Sequence, residues 1–466
     1  MKSRTLPLVV LALIFFGTLL YQLADVTLGL WLASPAILVF LLLRWHAISN
    51  SPRILIGLAV ASALSLPWLD DWQAVLWEAF DRAGYFATFL IALTFLRLAA
   101  QQSPMIRQCG EWAVIQPPLR RYGMLSYATA LFGTILNFGV LHLLGLMVVR
   151  GNTLAGAWGQ ETIQRLRQKR MSQAMLRGFA ALPLASPFSV TLIVLLTMIP
   201  DLRWQAILPI GIVTAVLLIL IGWLEDFVRH RHIHPPGPRR KPPADAWKSA
   251  VHLVILIMSL VGAALVVESS TDLSLPLSVL ILAPPFSLGW FVWQGRRAGW
   301  VSAPRLTMRR LRKTVPGQVV PLSGEVGLLA AAGFLGSVAT AMINVDQVVW
   351  LLTLLHLQGL PLLIAAMVLT ILLGQIGFNP IVSVTLLAAA LQPVELFGLT
   401  QELLALGLMS AWCLTVNSSP FTISVAVTAR LSGVTPRYLA YHWNGPYLLI
   451  CLLFLSVWLY ALSWIY

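Results

Sequence analysis

The stretches "LASPFSVTL" (residues 184–192) and "NSSPFTISV" (residues 417–425) each place Ser-Pro-Phe inside a long apolar run. Every position of the second stretch is numbered 233 higher than its counterpart in the first. A proline inside a helix removes one hydrogen bond and frees a carbonyl. In hydrocarbon such a break persists only where protein, water or a ligand satisfies the freed groups. The repeated motif therefore predicts two broken helices with a shared role.

The composition around these stretches is that of a polytopic helical membrane protein. Apolar residues make up 58% of the chain and charged residues 10%. Many apolar runs approach the roughly 20 residues that a helix needs to cross a bilayer. The net charge of +14 comes from basic residues in short loops, which retention on the cytoplasmic side explains without a nucleic-acid partner. The three cysteines lie far apart with no C-x-x-C spacing, so neither a metal site nor a disulfide framework is indicated.

Hydrophobic runs separated by turn and charge signals predict eleven membrane spans. They are 6–21, 28–44, 54–69, 84–100, 178–199, 203–224, 249–267, 274–293, 324–343, 401–428 and 441–465.

Two further apolar stretches, 124–150 and 361–391, are interrupted by "GTILNFG" (133–139) and "GQIGFNP" (374–380). If both stretches crossed the membrane, the basic loops would alternate between its sides. If both are re-entrant hairpins, only Arg82 and Arg203 of the 31 Lys and Arg residues lie outside. The positive-inside rule therefore favours hairpins, with the N-terminus cytoplasmic and the C-terminus periplasmic.

The predicted fold is all-α: about eleven transmembrane helices plus two re-entrant hairpins, arranged as two inverted five-helix repeats. An extra N-terminal transmembrane helix occupies 1–27; it resembles a signal peptide, but its poor cleavage site leads us to expect that it is retained. The remaining predicted segments are repeat 1 over 28–224 (hairpin 124–150, broken helix 178–199), a cytoplasmic basic linker over 225–248, and repeat 2 over 249–466 (hairpin 361–391, broken helix 401–428). Segment 151–177 is either an amphipathic helix on the inner leaflet or a solvated loop.

The four interruptions supply the candidate binding residues. Helix ends at such breaks offer N–H groups to anions and carbonyls to cations, and neighbouring amides and hydroxyls add neutral ligands. No charged residue falls in the predicted cores of the hairpins or broken helices, which favours sodium over protons as the coupling ion; a titrating His142 keeps the proton alternative open. No catalytic residue, metal-ligand set or resident cofactor is expected beyond sodium at the same positions. The candidates are Asn137, Gly139, Ser186, Pro187, Ser189, Thr191, Asn379, Pro380, Asn417, Ser418, Ser419, Pro420 and Thr422.

This order of spans, hairpins and broken helices resembles the ion transporter superfamily of elevator carriers. It is most similar to the divalent anion/sodium symporter family and to the large permease of tripartite (TRAP) carriers. Hairpin tips of the symporter family carry Ser-Asn-Thr, whereas the matching positions here read "LNFG" (136–139) and "FNPI" (378–381), so only Asn137 and Asn379 correspond.

The resemblance implies that 186–191 and 417–422 line the ion sites. It also implies that the hairpins and broken helices form a transport domain that slides against a scaffold of the other spans. The expected partners are a small-molecule substrate, the lipid bilayer and a second copy of the chain in a homodimer. The alternative to the homodimer is a small membrane subunit with a periplasmic binding protein.

The sequence thus predicts a sodium-coupled elevator carrier for a small anionic solute in a bacterial inner membrane. Alternatives on the same fold are a proton-coupled carrier and a lipid or polyprenyl-phosphate translocase. A membrane transferase would require acidic motifs, but the only adjacent acidic pairs, 70–71 and 225–226, belong to none. A noncatalytic assembly subunit gives no reason for the paired breaks.

Overall fold

The computed structural model describes residues 2–232, 246–296 and 299–466. These residues form helices and connecting turns, with no β-strand among them. In chain order the helices are α1 (Lys2–Ala24), α2 (Thr27–Arg44), α3 (Asn50–Ser65), α4 (Trp72–Gln101), α5 (Pro104–Ile115), α6 (Pro118–Leu136), α7 (Gly139–Gly151), α8 (Glu161–Ala180), α9 (Leu182–Ala185), α10 (Val190–Met198), α11 (Trp204–His230), α12 (Ala246–Ser270), α13 (Leu275–Gly295), α14 (Ala303–Met342), α15 (Val345–Leu354), α16 (Gly359–Gln375), α17 (Pro380–Ala390), α18 (Gln401–Ser418), α19 (Ile423–Ser432), α20 (Pro436–Tyr438) and α21 (Gly445–Leu462).

The eleven predicted spans are confirmed. Among the described residues, eleven helical stretches are long and apolar enough to cross a membrane, and each overlaps one predicted span. The two broken helices fall within the stretches Glu161–Met198 and Gln401–Ser432. The chain is therefore an all-helical, multi-pass membrane protein.

Helices α6 and α7 form a hairpin around the break at Asn137. Helix α8 runs parallel to α6, because Ser126 of α6 bonds Ala174 of α8, and Phe138, just after α6, packs on Phe179 near the end of α8. The same helix runs antiparallel to α7, since Gly145 packs on Met175 while Asn152, later in α7's direction, bonds the carbonyl of Gln164. Two helices that run in opposite directions along a third are antiparallel to each other, so the chain turns back at residues 137–138.

The second predicted hairpin has the expected interruption, at 376–379 between α16 and α17. Helix α16 runs parallel to α18: Leu363 packs at Gly407, and Gly374 packs at Thr415. The short apolar helix α15, which was not predicted from the sequence, precedes α16 in the chain and is separated from it by residues 355–358. The direction of α17 relative to α16 stays a prediction.

The prediction of a surface helix or solvated loop over 151–177 is wrong for residues 171–177, which are buried. Helix α8 is continuous from Glu161 to Ala180, and all of its residues from Met171 onward are buried. Gly178 lets the helix approach α6 closely, because a Cβ there would overlap the carbonyl oxygen of Ser126. The broken helix therefore begins well before the predicted residue 178, and its basic first half leads directly into the protein interior.

The predicted linker over 225–248 is shorter than expected. Helix α11 continues through His230 because its last turns are held by ion pairs: Asp226 pairs with Arg170, and Glu225 pairs with Arg177. Residues 233–245, including His234, lie outside the described residues, and α12 begins at Ala246.

The chain folds into two compact units, each built from both halves of the sequence. Unit 1 comprises Met1–Ala99, Ala263–Leu351 and Thr385–Pro393. Within it, Arg97 of α4 is buried and donates to Glu325 of α14 at 2.9 Å and 3.4 Å. Gln22 of α1 donates to Asp81 of α4 at 2.7 Å. Paired polar groups thus join helices that are distant in sequence.

Unit 2 comprises Ala100–Gly262, Leu352–Val384 and Val394–Tyr466. It contains the first hairpin, the second interruption and both broken helices. It also contains α11 and α21, which the resemblance had assigned to the scaffold. These spans belong with the broken helices because they pack on α18 and α9 and are bonded to each other, as Tyr447 donates to the carbonyl of Leu218 at 3.0 Å.

Replacing Gly178 by alanine should destabilise unit 2. The new Cβ meets a backbone oxygen that cannot move aside as a side chain does, and overpacking of this kind costs about 1–3 kcal/mol. Gly262→Ala is the matched control, since nothing lies within 4 Å of a Cβ at that position and alanine is the better helix former. Thermal unfolding in detergent should show a lower midpoint for G178A alone; equal midpoints would contradict the close packing of α8 on α6.

Candidate functional site

Break 1, residues 186–189, separates α9 from α10 and is held together by two serine hydroxyls. Ser186 Oγ accepts the N–H of Phe188 at 3.2 Å. Ser189 Oγ accepts the N–H of Leu192 at 3.2 Å, which caps α10, and donates to the carbonyl of Pro183 at 3.4 Å. The hydroxyls therefore satisfy backbone groups that the proline break leaves without helical partners.

Break 2, residues 419–422, separates α18 from α19 and repeats this arrangement. Ser419 Oγ accepts the N–H of Phe421 at 3.2 Å, and Thr422 Oγ1 lies within hydrogen-bond distance of two carbonyl oxygens, that of Val416 at 3.3 Å and that of Ser419 at 2.8 Å. Two backbone bonds also match. Ser186 N–H donates to the carbonyl of Leu182 at 3.0 Å, as Ser419 N–H does to that of Thr415 at 2.9 Å. Ser189 N–H donates to the carbonyl of Ser186 at 3.1 Å, as Thr422 N–H does to that of Ser419 at 3.3 Å. The Ser419 Oγ bond, the Thr422 Oγ1 contact with Val416 and both backbone bonds join residues numbered 233 higher than their counterparts in break 1. The sequence similarity is thus a similarity of three-dimensional structure.

The two breaks differ in their surroundings. Ser419 Oγ also donates to the carbonyl of Gly374 at 2.7 Å, which ties break 2 to the end of α16. Phe421 is 58% exposed and lies against Gly377, whereas its counterpart Phe188 is 3% exposed. Break 2 is therefore the more accessible of the two, and it is in direct contact with the second interruption.

Buried polar atoms without partners cluster beside break 2. Asn417 is 1% exposed, and both its Oδ1 and its Nδ2 lack a hydrogen-bond partner among the described residues. Gln375 donates to Ser418 Oγ at 3.3 Å, but its Oε1 is buried and has no partner there either. A buried polar group left unpaired costs about 1–3 kcal/mol, so such atoms mark positions where a ligand would be favoured.

The asparagines of the hairpin tips do not join this cluster. Asn379 Oδ1 accepts the N–H of Ile381 at 3.0 Å, so it caps α17, which begins at Pro380. Asn137 has a left-handed backbone with φ of 48° and ends α6; the adjoining Phe138 packs on Phe179 at 5.2 Å. The structure therefore places the first tip against α8 and the second against break 2, through Gly377 rather than through an asparagine.

The remaining predicted positions lie at the breaks in supporting places. Gly139 begins α7, where a Cβ would lie 3.2 Å from Gln101 Nε2. Ser418 Oγ donates to the carbonyl of Leu414 at 2.7 Å, and Thr191 is buried near the start of α10. Pro187 is half-buried and Pro420 is buried within their breaks.

A buried arginine, missed by the sequence reading, stands behind break 2. Arg177 of α8 is 3% exposed and donates from Nη1 to Glu225 Oε2 at 2.7 Å and to the hydroxyl of Tyr122 at 2.9 Å. Its Nε donates to Asn444 Oδ1 at 3.2 Å, and Asn444 in turn donates to the carbonyl of Asn417 at 3.2 Å. A continuous chain of bonds thus connects the ion pair to Asn417, the second-last residue of α18, next to the break.

This network adds a buried charge to the first broken helix, because α8 begins before the predicted start at residue 178 and so includes Arg177. Arg177 is stacked 4.0 Å from the ring centre of Tyr447, and its Nη2 is buried without a partner among the described residues. The signal was present in sequence, because the acidic pair at 225–226 ends an apolar run. Nothing in the local pattern indicated that α8 would bring Arg177 to it.

Chemically, the two breaks form a set of neutral oxygens. A hydroxyl donates once and accepts twice, so Ser186 and Ser419 each keep an acceptor lone pair after the bonds described above. The described residues contain no group of three or more His, Cys, Asp or Glu side chains that could hold a metal ion. Carbonyl, amide and hydroxyl oxygens suit a hard cation such as sodium, and α10 and α19 begin at the breaks with their positive ends.

Comparison with known proteins finds similarity in structure but not in sequence. No protein-family model matches the chain, and no curated protein matches it. The crystal structure of the YdaH transporter of Alcanivorax borkumensis is similar over 81% of this chain and 85% of that one, with 18% identity and a TM-score of 0.47. A likeness of this strength does not assign a function, so membership of the ion transporter superfamily stays a prediction.

Replacing Glu225 by glutamine should destabilise the protein strongly. It leaves Arg177 as a buried charge without its carboxylate, and breaking a buried pair in this way costs about 3–5 kcal/mol. Glu161→Gln is the matched control: it breaks a pair with Arg165 on the same helix α8, but both side chains are exposed, so a change under about 1 kcal/mol is expected. Similar shifts in thermal unfolding for E225Q and E161Q would show that the buried pair is not important for stability.

Proposed function

We propose that this protein is a secondary active transporter that carries a small anionic solute across the membrane together with sodium. The observation that carries the proposal is the pair of breaks with matching hydrogen bonds, both within unit 2, beside which Asn417 is buried with its amide unpaired. A kink needed only for shape would be fully satisfied by its own hydroxyls. The unpaired amide and the unpaired Gln375 Oε1 are instead suited to a ligand that comes and goes.

The chemistry of the breaks supports sodium and an anion together. The C-terminal ends of α9 and α18 present carbonyl and hydroxyl oxygens, which suit the cation. The N-terminal ends of α10 and α19 and the Nδ2 of Asn417 are donors, which suit an anion. The guanidinium of Arg177 is already paired with Glu225, so the anion would be held by amides and helix ends.

In the elevator form of the proposal, unit 2 carries the solute and moves as one body. Both breaks and both helix interruptions belong to this unit, and α11 and α21 are bonded into it. In this proposal the protein lies in a bacterial inner membrane and is active as a homodimer. A permease that works with a small membrane subunit and a periplasmic binding protein is the alternative assembly.

Sodium should stabilise the protein, and the stabilisation should depend on break 2. Binding to the folded state alone raises stability by about 2.7 kcal/mol at a hundredfold excess over Kd. Thermal unfolding in sodium chloride against choline chloride at equal ionic strength measures the shift, with a panel of carboxylates, sulfonates and phosphates added to find the solute. Asn417→Ala and Ser419→Ala should lose the sodium shift.

Ser456→Ala is the control for loss of a hydroxyl, because the Ser456 hydroxyl in α21 donates to the carbonyl of Leu452 in its own helix, at 2.9 Å. It should keep the full sodium response. A wild-type protein that responds to no cation would overturn sodium coupling and favour the proton-coupled carrier. A sodium-dependent shift in unfolding temperature that persists in both break-2 variants would mean that sodium binds elsewhere in the protein.

Alternating access predicts that break 2 can be reached from each side of the membrane in turn. A cysteine at Phe421, which is 58% exposed, should react with a membrane-impermeant thiol reagent in both right-side-out and inside-out vesicles. Sodium with solute should change the ratio of the two rates. The native Cys109, Cys413 and Cys451 are buried, so the unsubstituted protein is the background control. Reaction from one side only, under every condition, would contradict the carrier.

A further inference from the structure

A basic cavity in unit 2 lies apart from the two breaks. Its volume is about 820 Å³, and it is enclosed by α5, the first turns of α6, the end of α7, the loop that follows and the first half of α8. None of the residues of break 1 or break 2 lines it. The arginines in its wall are Arg107, Arg121, Arg150, Arg167 and Arg170, and the wall has one acidic residue, Glu111.

The positive charge of this wall is only partly compensated. Arg170 makes a bidentate pair with Asp226, at 2.9 Å and 2.7 Å. Arg121 is half-buried and donates to the carbonyl of Gln116 at 2.8 Å, but none of the salt bridges of the described residues includes it. Burial lowers the pKa of Arg121 to about 10, and the positive charges of Arg167 and Arg170 contribute in the same direction. An anion in the cavity would relieve this repulsion.

The rest of the wall is apolar and continues to the protein surface. Leu143, Met147 and Ile163 line the cavity together with Leu146, which is 43% exposed. Trp158, in the loop after α7, lines it and is 39% exposed. Indole rings are enriched at membrane–water interfaces, and an exposed leucine on a membrane protein suits acyl chains. A small soluble anion would bind the arginines but would leave this apolar side of the cavity without a ligand contact.

We propose that the cavity binds the phosphate headgroup of an anionic phospholipid, with the acyl chains lying along the apolar wall. The phosphate lies against Arg121 and Arg150, whose guanidinium groups match phosphate oxygens bidentately. The positive-inside rule places this end of the hairpin at the cytoplasmic surface, where the headgroups of anionic lipids lie. The site is separate from the proposed solute site and stands whether or not that proposal holds.

The test is a titration of the full-length protein in neutral detergent with phosphatidylglycerol, and with phosphatidylcholine of the same acyl chains, followed by thermal unfolding. Phosphatidylglycerol should bind more tightly to the wild type. Arg121→Gln and Arg150→Gln should each weaken that binding about tenfold, as expected for loss of one charge-assisted contact. Arg150 is exposed in the last turn of α7, so its substitution leaves the fold intact.

Arg120→Gln is the matched control. It removes the same charge from the residue next to Arg121, and the Arg120 side chain does not line the cavity. It should leave the affinity unchanged to within about twofold. Equal losses in R120Q and R121Q would mean general attraction to negative charge and would overturn the site, as would equal affinity for the two lipids. Stabilisation by inorganic phosphate or glycerol phosphate as large as that by the lipid would overturn the assignment to a lipid and leave a site for a free phosphate.

Discussion

The backbone groups freed at Pro187 and Pro420 are the constraint on which the rest of the structure depends. In a bilayer each freed N–H or carbonyl must find a partner within the protein or in a ligand. Ser186 and Ser189 provide these partners at the first break, and Ser419 and Thr422 do so at the second. Because the bonds are local and nearly the same in both halves, each break is a stable element of the fold, and any ligand binds to a site that already exists.

The second break is also connected to the rest of unit 2 by longer-range bonds. Ser419 holds the end of α16 through the carbonyl of Gly374, and Asn417 is linked through Asn444 to Arg177. A structural change at the second break therefore affects residues of α8, α11 and α16 through these bonds. Within the described part of the chain, the hydroxyls of Ser186 and Ser189 bond only to residues 183–192 and not to the first hairpin, so the two halves are alike in local geometry but differ in their longer-range bonds.

The sequence alone was sufficient for features that depend on local pattern. The length of apolar runs predicted all eleven spans, and the repeated Ser-Pro-Phe predicted that two of the helices are broken at this motif. Features that depend on distant partners were missed. The basic residues of α8 indicate a surface segment in sequence, because their partners Asp226 and Glu225 are distant in the chain. Asn417 is distinguished from the polar residues next to it only by its buried, unpaired amide, which the sequence does not show. Asn379 caps α17, a role that suits an asparagine just before a proline at a helix start, and its role in binding stays a prediction.

The buried pair of Arg177 and Glu225 also constrains how the protein is made. The two residues are 48 positions apart, so Arg177 leaves the ribosome well before its carboxylate partner. An arginine at the centre of a helix entering the bilayer alone is disfavoured by roughly 2.5–3.5 kcal/mol. The stretch Glu161–Met198 is therefore expected to wait at the translocon until α11 has been synthesised, and the two spans enter the lipid together with their charges already paired.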